Sequence, residues 1–91
     1  MTLTGALMPW KDGPVFLEEP GSSFVYLPCF SKAEALEAVM RRAGVSYEEI
    51  VRIEDEEEFL AILGIPEAAG IRIVKDPYFT VGAKMIKPGV Y

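Results

Sequence analysis

The sequence predicts an α+β fold: a mixed sheet of four to five strands with two helices on one face, in the order ββαβαββ. Three observations predict this class. Runs of β-branched and aromatic residues alternate with two segments whose apolar residues recur at helical spacing. Glycine and proline separate these runs, as is usual at turns. The 91 residues, 51% of them hydrophobic, suffice for one modest core, so we expect a single domain over residues 1–91.

The first third of the chain is predicted to hold a β-hairpin. Residues 1–13, interrupted by two glycines and a proline, form an irregular lead or a short strand that lies over the core. Strands at 15–17 and 23–27 flank the turn 19–22, Glu-Pro-Gly-Ser, in which proline presets one dihedral angle and glycine supplies a positive φ. Pro28 is expected to end the second strand, because it has no N–H to donate.

A helix is predicted over residues 32–43. Ser31 and Glu34 have the spacing of a capping box, in which the serine caps the helix and the glutamate reaches back to it. Apolar residues then recur at helical spacing, and Gly44 follows as the usual C-terminal stop.

A second strand-helix unit follows. A strand is predicted over about 49–54, and Asp55 is the predicted N-cap of a helix that ends at Gly64. Residues 65–70 are expected to form a loop or one helical turn.

The C-terminal segment is predicted to add two strands. Residues 71–74 form the first, which Asp76 and the following proline end. Residues 78–86 form the second, bent or bulged at Gly82.

The strand at 23–27 carries apolar residues on both faces. Phe24, Tyr26 and Phe30 share one side, while Val25 and Leu27 share the other. Such a strand lies in a sheet that is buried on both sides, and in so small a protein we expect a second subunit to supply one cover. This predicts a homodimer.

Composition excludes several kinds of site. The chain has no histidine, which excludes an imidazole base, a Ser-His-Asp triad and histidine metal ligands. Its one cysteine excludes an internal disulfide and a CxxC zinc or redox site. The glycines form no phosphate-binding pattern. The sequence therefore predicts no catalytic residues, no cofactor and no metal ligands, and favours a non-enzymatic protein.

Other compositional features bear on origin and location. Asn and Gln are both absent while Glu is abundant, which indicates adaptation to high temperature. No segment resembles a targeting sequence or a membrane span, and a lone cysteine suits a reducing compartment, so a cytoplasmic location is expected.

The net charge of −5 comes from one segment. Residues 46–58 hold seven of the 14 acidic residues and one of the nine basic residues, and the rest of the chain is nearly balanced. The acids at 54–58 are consecutive, so on a helix they point in different directions and do not converge on a metal ion. Helix capping explains most of them, and an acidic docking surface is the functional interpretation.

The C-terminal segment combines lysines with aromatic residues. This mixture can bind single-stranded nucleic acid, but the net negative charge argues against that partner. The candidate interaction residues are Glu54, Asp55, Glu57 and Glu58 in the acidic segment, and Tyr78, Phe79, Lys84 and Lys87 in the C-terminal segment.

Cys29 is the candidate reactive thiol. It lies two residues before the predicted N-cap, where a helix dipole can lower the pKa of a thiol. Its neighbours are apolar, however, and apolar burial raises that pKa and leaves a cysteine inert. The buried, structural role is favoured.

The stretch 24–37, Phe-Val-Tyr-Leu-Pro-Cys-Phe-Ser-Lys-Ala-Glu-Ala-Leu-Glu, resembles the opening of SseB-like N-terminal domains. In those domains a strand ending in Leu-Pro-x-Phe-Ser/Thr feeds a helix beginning Ser-x-Glu-Ala-Leu. The likeness covers about residues 15–43. It implies a small bacterial α+β interaction module without known catalysis, and it carries over no functional residues.

Two hypotheses follow. The first is a small non-enzymatic bacterial protein that acts as a protein-interaction module and self-associates. The alternative is a small-molecule-binding or thiol-dependent protein that uses Cys29 at a helix N-terminus.

Overall fold

The computed structural model describes residues 2–19, 21–64, 70–82 and 84–90. Within them the chain forms eight short strands and two helices. The elements in chain order are β1 (Leu7–Trp10), β2 (Leu17–Glu18), β3 (Val25–Cys29), α1 (Ala33–Ala43), β4 (Glu49–Arg52), α2 (Glu56–Leu63), β5 (Ile71–Lys75), β6 (Tyr78–Phe79), β7 (Met85–Ile86) and β8 (Gly89–Val90).

The α+β class is confirmed, and the larger sheet is mixed. Its four strands lie in the order β2-β3-β5-β8, with β3 antiparallel to β2 and parallel to β5. The parallel pairing matches Val25 with Ile71 and Cys29 with Lys75. The hairpin predicted in the first third is β2–β3, and its turn is closed by a hydrogen bond from the Ser22 N–H to the Glu19 carbonyl.

One edge of β3 is shared by two strands. Its N-terminal half pairs with β2, while Phe30, just beyond its end, exchanges two backbone hydrogen bonds of 2.7 Å with Leu7 of β1. β1 then leaves this edge and pairs antiparallel with β4.

This arrangement explains why Pro28 lies inside β3 instead of ending it. Val25 and Cys29 bond towards β5, so the even-numbered residues present their backbone groups to the opposite edge. At Pro28 that edge lies between the β2 and β1 pairings. The missing N–H therefore costs no ladder hydrogen bond.

The two helices cover opposite faces of the sheet, which differs from the expectation of one shared face. On one side, the α1 residues Leu36, Val39 and Met40 cluster with Tyr26 and Phe30. On the other side, α2 packs on a cluster formed by Leu3, Ala6, Met8, Leu27, Cys29, Ile53 and Ile73. Because β3 and β5 are apolar on both faces, each face needs its own cover, and one helix goes to each.

The chain therefore covers both faces of its own sheet. The N-terminal lead is part of that cover, since Leu3 is completely buried. The expectation that a second subunit must cover one face loses its basis, and a homodimer needs another reason.

The helix ends agree with prediction at three of four points. Asp55 caps α2, its side chain accepting hydrogen bonds from the N–H groups of Glu57 and Glu58 at 3.0 and 3.2 Å. Gly44 ends α1 at φ +69° and Gly64 follows α2 at φ +89°, in backbone conformations that glycine adopts without strain.

The predicted capping box at the start of α1 is wrong. Lys32 occupies the N-cap position, and no side chain caps the helix. The Ser31 hydroxyl instead donates to Asp76 Oδ2 at 2.7 Å, and the Ser31 N–H donates to Asp76 Oδ1 at 2.8 Å. A carboxylate is a stronger acceptor than the local backbone offers, so a contact across 45 residues replaces the local one.

The strand predicted over 78–86 is a hairpin. β6 and β7 pair antiparallel, with Tyr78 opposite Ile86 and Phe79 opposite Met85, and Gly82 lies in the turn between them. The loop or helical turn predicted at 65–70 lies outside the described residues except for Gly70.

Candidate functional site

A groove of about 410 Å³ lies between α2 and the β1–β4 pair. Its lining comprises Met8, Trp10, Pro14, Val51, Arg52, Ile53, Glu54, Asp55, Glu58, Phe59, Ile62 and Leu63. Apolar side chains from both strands form most of the surface, and charged residues gather at the start of α2. A concave apolar surface with a few polar groups is typical of a binding site.

The apolar face of α2 is only partly covered by the rest of the molecule. None of the eight residues of the helix is buried, whereas α1 buries Leu36, Val39 and Met40. The side chain of Ile62 is 79% exposed and lines the groove. A short helix is stabilised mainly by packing of its apolar face, and in α2 Phe59, Leu60 and Leu63 supply that packing while Ile62 stays exposed.

The sequence explains both the helix and its exposed face. Asp55 and the acids of the first turn stabilise the N-terminus through hydrogen bonds and the helix dipole. Phe59, Leu60, Ile62 and Leu63 follow, and at 100° per residue they span about 160° of the helix surface. Such a stripe is wider than one packing contact covers, which leaves Ile62 at its margin facing outward.

Part of the predicted acidic surface lies along this groove. Glu54, Asp55 and Glu58 line it, together with Arg52 as the one basic lining residue. Within the described part of the chain, the only ion pair is between Lys87 and Glu19, so the groove acids have no basic side chain within 4 Å. Glu57 is exposed on the first turn of α2 and is not part of the lining.

The predicted C-terminal residues lie on the other side of the sheet. Lys87 is paired with the carboxylate of Glu19, and its ammonium group lies 4.6 Å from the centre of the Tyr26 ring. The hydrogen bond to Glu19 raises the pKa of Lys87 above its ordinary value of 10.5. Lys87 therefore holds the C-terminal segment against the β2–β3 hairpin, a structural role that was not foreseen.

Tyr78, Phe79 and Lys84 belong to the β6–β7 hairpin. Tyr78 is 52% exposed and Lys84 is exposed, while Phe79 packs against the α1 side of the core. The structure thus separates the acidic and C-terminal candidates into two surfaces on opposite faces of the sheet.

Cys29 is completely buried among apolar side chains of the α2 side. Burial raises the pKa of its thiol from 9.0 to about 12. A thiol that is inaccessible and protonated is not nucleophilic, so its position favours the structural role.

The described residues contain no group of three or more potential metal ligands. None of their helices is long and apolar enough to cross a membrane.

No family model, curated protein or solved structure matches this chain. The resemblance to SseB-like N-terminal domains, the cytoplasmic location and the adaptation to high temperature stay predictions.

The groove itself was missed from the sequence. The sequence indicates the acids on its rim but not Trp10, Val51 and Ile62, because the β1–β4 pairing and the packing of α2 bring these three together from separate segments. One local signal existed: the apolar stripe after Asp55 is wide for so short a helix.

Proposed function

We propose that the chain is a non-enzymatic protein-interaction module that binds a segment of a protein in the groove between α2 and the β1–β4 pair. The observation that carries this proposal is the exposed Ile62 at the margin of the apolar face of α2, beside a preformed apolar groove. The occupant is a segment with at least one large apolar side chain and basic residues next to it.

The apolar part of the occupant follows from burial. Covering an isoleucine side chain contributes about 1.5–3 kcal/mol when it is fully removed from water, and Ile62 is 79% exposed. Trp10 lines the same groove, and an aromatic residue in a pocket is a frequent anchor of binding energy. Together they supply enough contact to hold one apolar side chain.

The basic part follows from charge. Three acids and one base line the groove, and the whole chain is negative. Complementary charges at the rim of an interface speed association and exclude partners of the wrong charge, and these effects are larger than their contribution to affinity. An acidic or nucleic-acid partner would meet repulsion at the same rim.

The thiol-dependent alternative has no supporting observation. It needs an accessible thiolate, whereas Cys29 is completely buried and the pKa of its thiol is raised to about 12. We therefore do not propose it.

Trp10 is the only tryptophan and lies in the groove, so its fluorescence reports directly on occupation. The probes are an amphipathic peptide of leucine and lysine and the same peptide with glutamate in place of lysine. We expect the lysine peptide to shift the Trp10 emission to shorter wavelength and to bind more weakly as salt is raised, because screening weakens the rim charges. The glutamate peptide should not bind.

Ile62→Asp should weaken binding of the lysine peptide by at least about tenfold, which corresponds to about 1.4 kcal/mol. Ala61→Asp is the matched control, because Ala61 is exposed on the same helix and does not line the groove. Equal affinity of the two variants, or no Trp10 response to the lysine peptide, would contradict the proposal.

A further inference from the structure

The turn of the β6–β7 hairpin exposes an apolar side chain. Val81 is 100% exposed at this turn. Phe79 and Met85 anchor the base of the hairpin in the α1 side of the core. The described residues of this turn, 80–82 and 84, form the hairpin tip.

Hydrogen bonds hold the hairpin tip in place. The Thr80 N–H donates to the Lys84 carbonyl at 2.9 Å, and the Lys84 N–H donates to Thr80 Oγ1 at 3.2 Å. Arg42 of α1 donates to the carbonyls of Thr80 and Val81 at 3.3 and 3.1 Å. An apolar side chain presented on a preformed turn binds with a smaller entropic cost than one on a flexible segment.

We propose that the hairpin tip of one copy docks in the α2 groove of a second copy of this chain, head to tail. The inference rests on the proposed function, and it names the occupant of that groove. Val81 is the apolar side chain that enters beside Ile62, and Lys84 lies against the acids Glu54 and Glu58.

Charge favours this occupant over a symmetric contact of two grooves. A contact between two copies of the same groove would bring Glu54, Asp55 and Glu58 against the same acids, and like charges at an interface are repulsive. The hairpin tip offers the opposite sign: Lys84 is exposed, Arg42 donates hydrogen bonds to the turn, and the sequence of residues 80–84 contains no acid.

Geometry requires two copies. The tip rests on α1 and the groove is built on α2, and these helices cover opposite faces of the sheet. One chain therefore cannot fill its own groove. Two different, complementary patches make a heterologous contact, which closes into a ring or continues as a filament.

The test uses two variants that each damage one side of the contact. Val81→Asp places a charge on the hairpin tip and leaves the groove unchanged. Ile62→Asp places a charge in the groove and leaves the hairpin tip unchanged. We expect the unaltered protein to form assemblies larger than a dimer as its concentration rises, measured by sedimentation velocity. Each variant alone should be monomeric, with self-association weakened at least tenfold.

An equimolar mixture of the two variants should form a heterodimer and nothing larger. One intact tip and one intact groove then remain, which is one contact for each pair. Ala61→Asp adds the same charge outside the groove and should associate like the unaltered protein. Urea unfolding of every variant separates loss of association from loss of folding.

Several results would overturn the proposal: an unaltered protein that stays monomeric at millimolar concentration, assemblies that either variant leaves intact, or a mixture that stays monomeric. Peptide binding distinguishes this failure from failure of the proposed function. If the lysine peptide still binds in the groove, the interaction module stands and its partner is another protein. If neither the peptide nor a second copy binds, both proposals fail.

Discussion

Replacing Asp76 by alanine should destabilise the protein by about 3 kcal/mol. Its carboxylate accepts two hydrogen bonds from Ser31, at 2.8 and 2.7 Å, and each is worth about 1 kcal/mol at an exposed site. Asp76 also has a φ of +54°, which aspartate tolerates and which costs alanine about 1 kcal/mol. Asp76→Asn is the matched control, because asparagine keeps the shape and tolerates this backbone. It should cost less than about half as much.

The assay is urea unfolding monitored by Trp10 fluorescence. We expect Asp76→Ala to lower the urea concentration at the midpoint and to leave unchanged the dependence of the unfolding free energy on urea concentration. Ser31→Ala completes a double-mutant cycle. It removes the hydroxyl bond, so we expect about 1 kcal/mol alone and a coupling energy of about 1 kcal/mol with Asp76→Ala. Additive effects, or a loss below about 0.5 kcal/mol for Asp76→Ala, would mean that the contact between Ser31 and Asp76 does not stabilise the fold.

Three further predictions concern the cap of α2, the thiol and one ion pair. Asp55→Ala should lower the free energy of unfolding by about 1 kcal/mol, because two N–H groups lose their acceptor. Glu57→Ala, at an exposed position of the same turn, should change it by less than about 0.5 kcal/mol, and thermal unfolding compares the two variants. Cys29 should react with a thiol reagent only as fast as the protein unfolds, and rapid labelling of the folded protein would contradict its burial. Lys87→Met should cost at most about 1 kcal/mol through loss of the Glu19 pair. Because folding raises the pKa of Lys87, this stabilisation is present below 10.5 and is lost as the pH rises through the folded value, so the unfolding midpoints of the two proteins should converge in alkali.

Local signals predicted the elements well. Gly44 ends α1 and Asp55 caps α2 as expected, because both effects act within one turn of the chain. Ser31 carries the same kind of signal and fails. Its partner Asp76 is 45 residues away, and no local pattern indicates that a carboxylate will arrive there.

The topology was predicted less well, because it depends on which edge each strand uses. Apolar residues on both faces of β3 correctly predicted two covers, but they do not say which segments supply them. The β1–β4 pairing carries the chain towards the second face, and α2 follows it there. An intramolecular cover replaced the expected subunit for that reason. The prediction that Pro28 ends β3 is wrong for a related reason: a proline ends a strand only where its missing N–H would have bonded to a neighbouring strand.

The candidate site shows the same division. The acids were found because they are consecutive in the sequence, whereas the groove beside them is assembled from β1, β4 and α2. The sequence predicts Lys87 as a contact residue, whereas in the structure it is bound to Glu19 within the chain. A charged residue in a sequence indicates a surface, and only the fold decides whether that surface is already occupied.

The residues of the acidic run at the start of α2 differ in their contacts. Asp55 points one oxygen at two N–H groups and is needed to begin a helix that buries no residue of its own. Glu56 accepts a hydrogen bond from the Leu3 N–H and ties the helix to the N-terminal lead. Glu54 and Glu58 line the groove without an ion-pair partner among the described residues. Capping therefore explains why the helix forms but does not explain those two acids, which the proposed binding of a basic segment would account for.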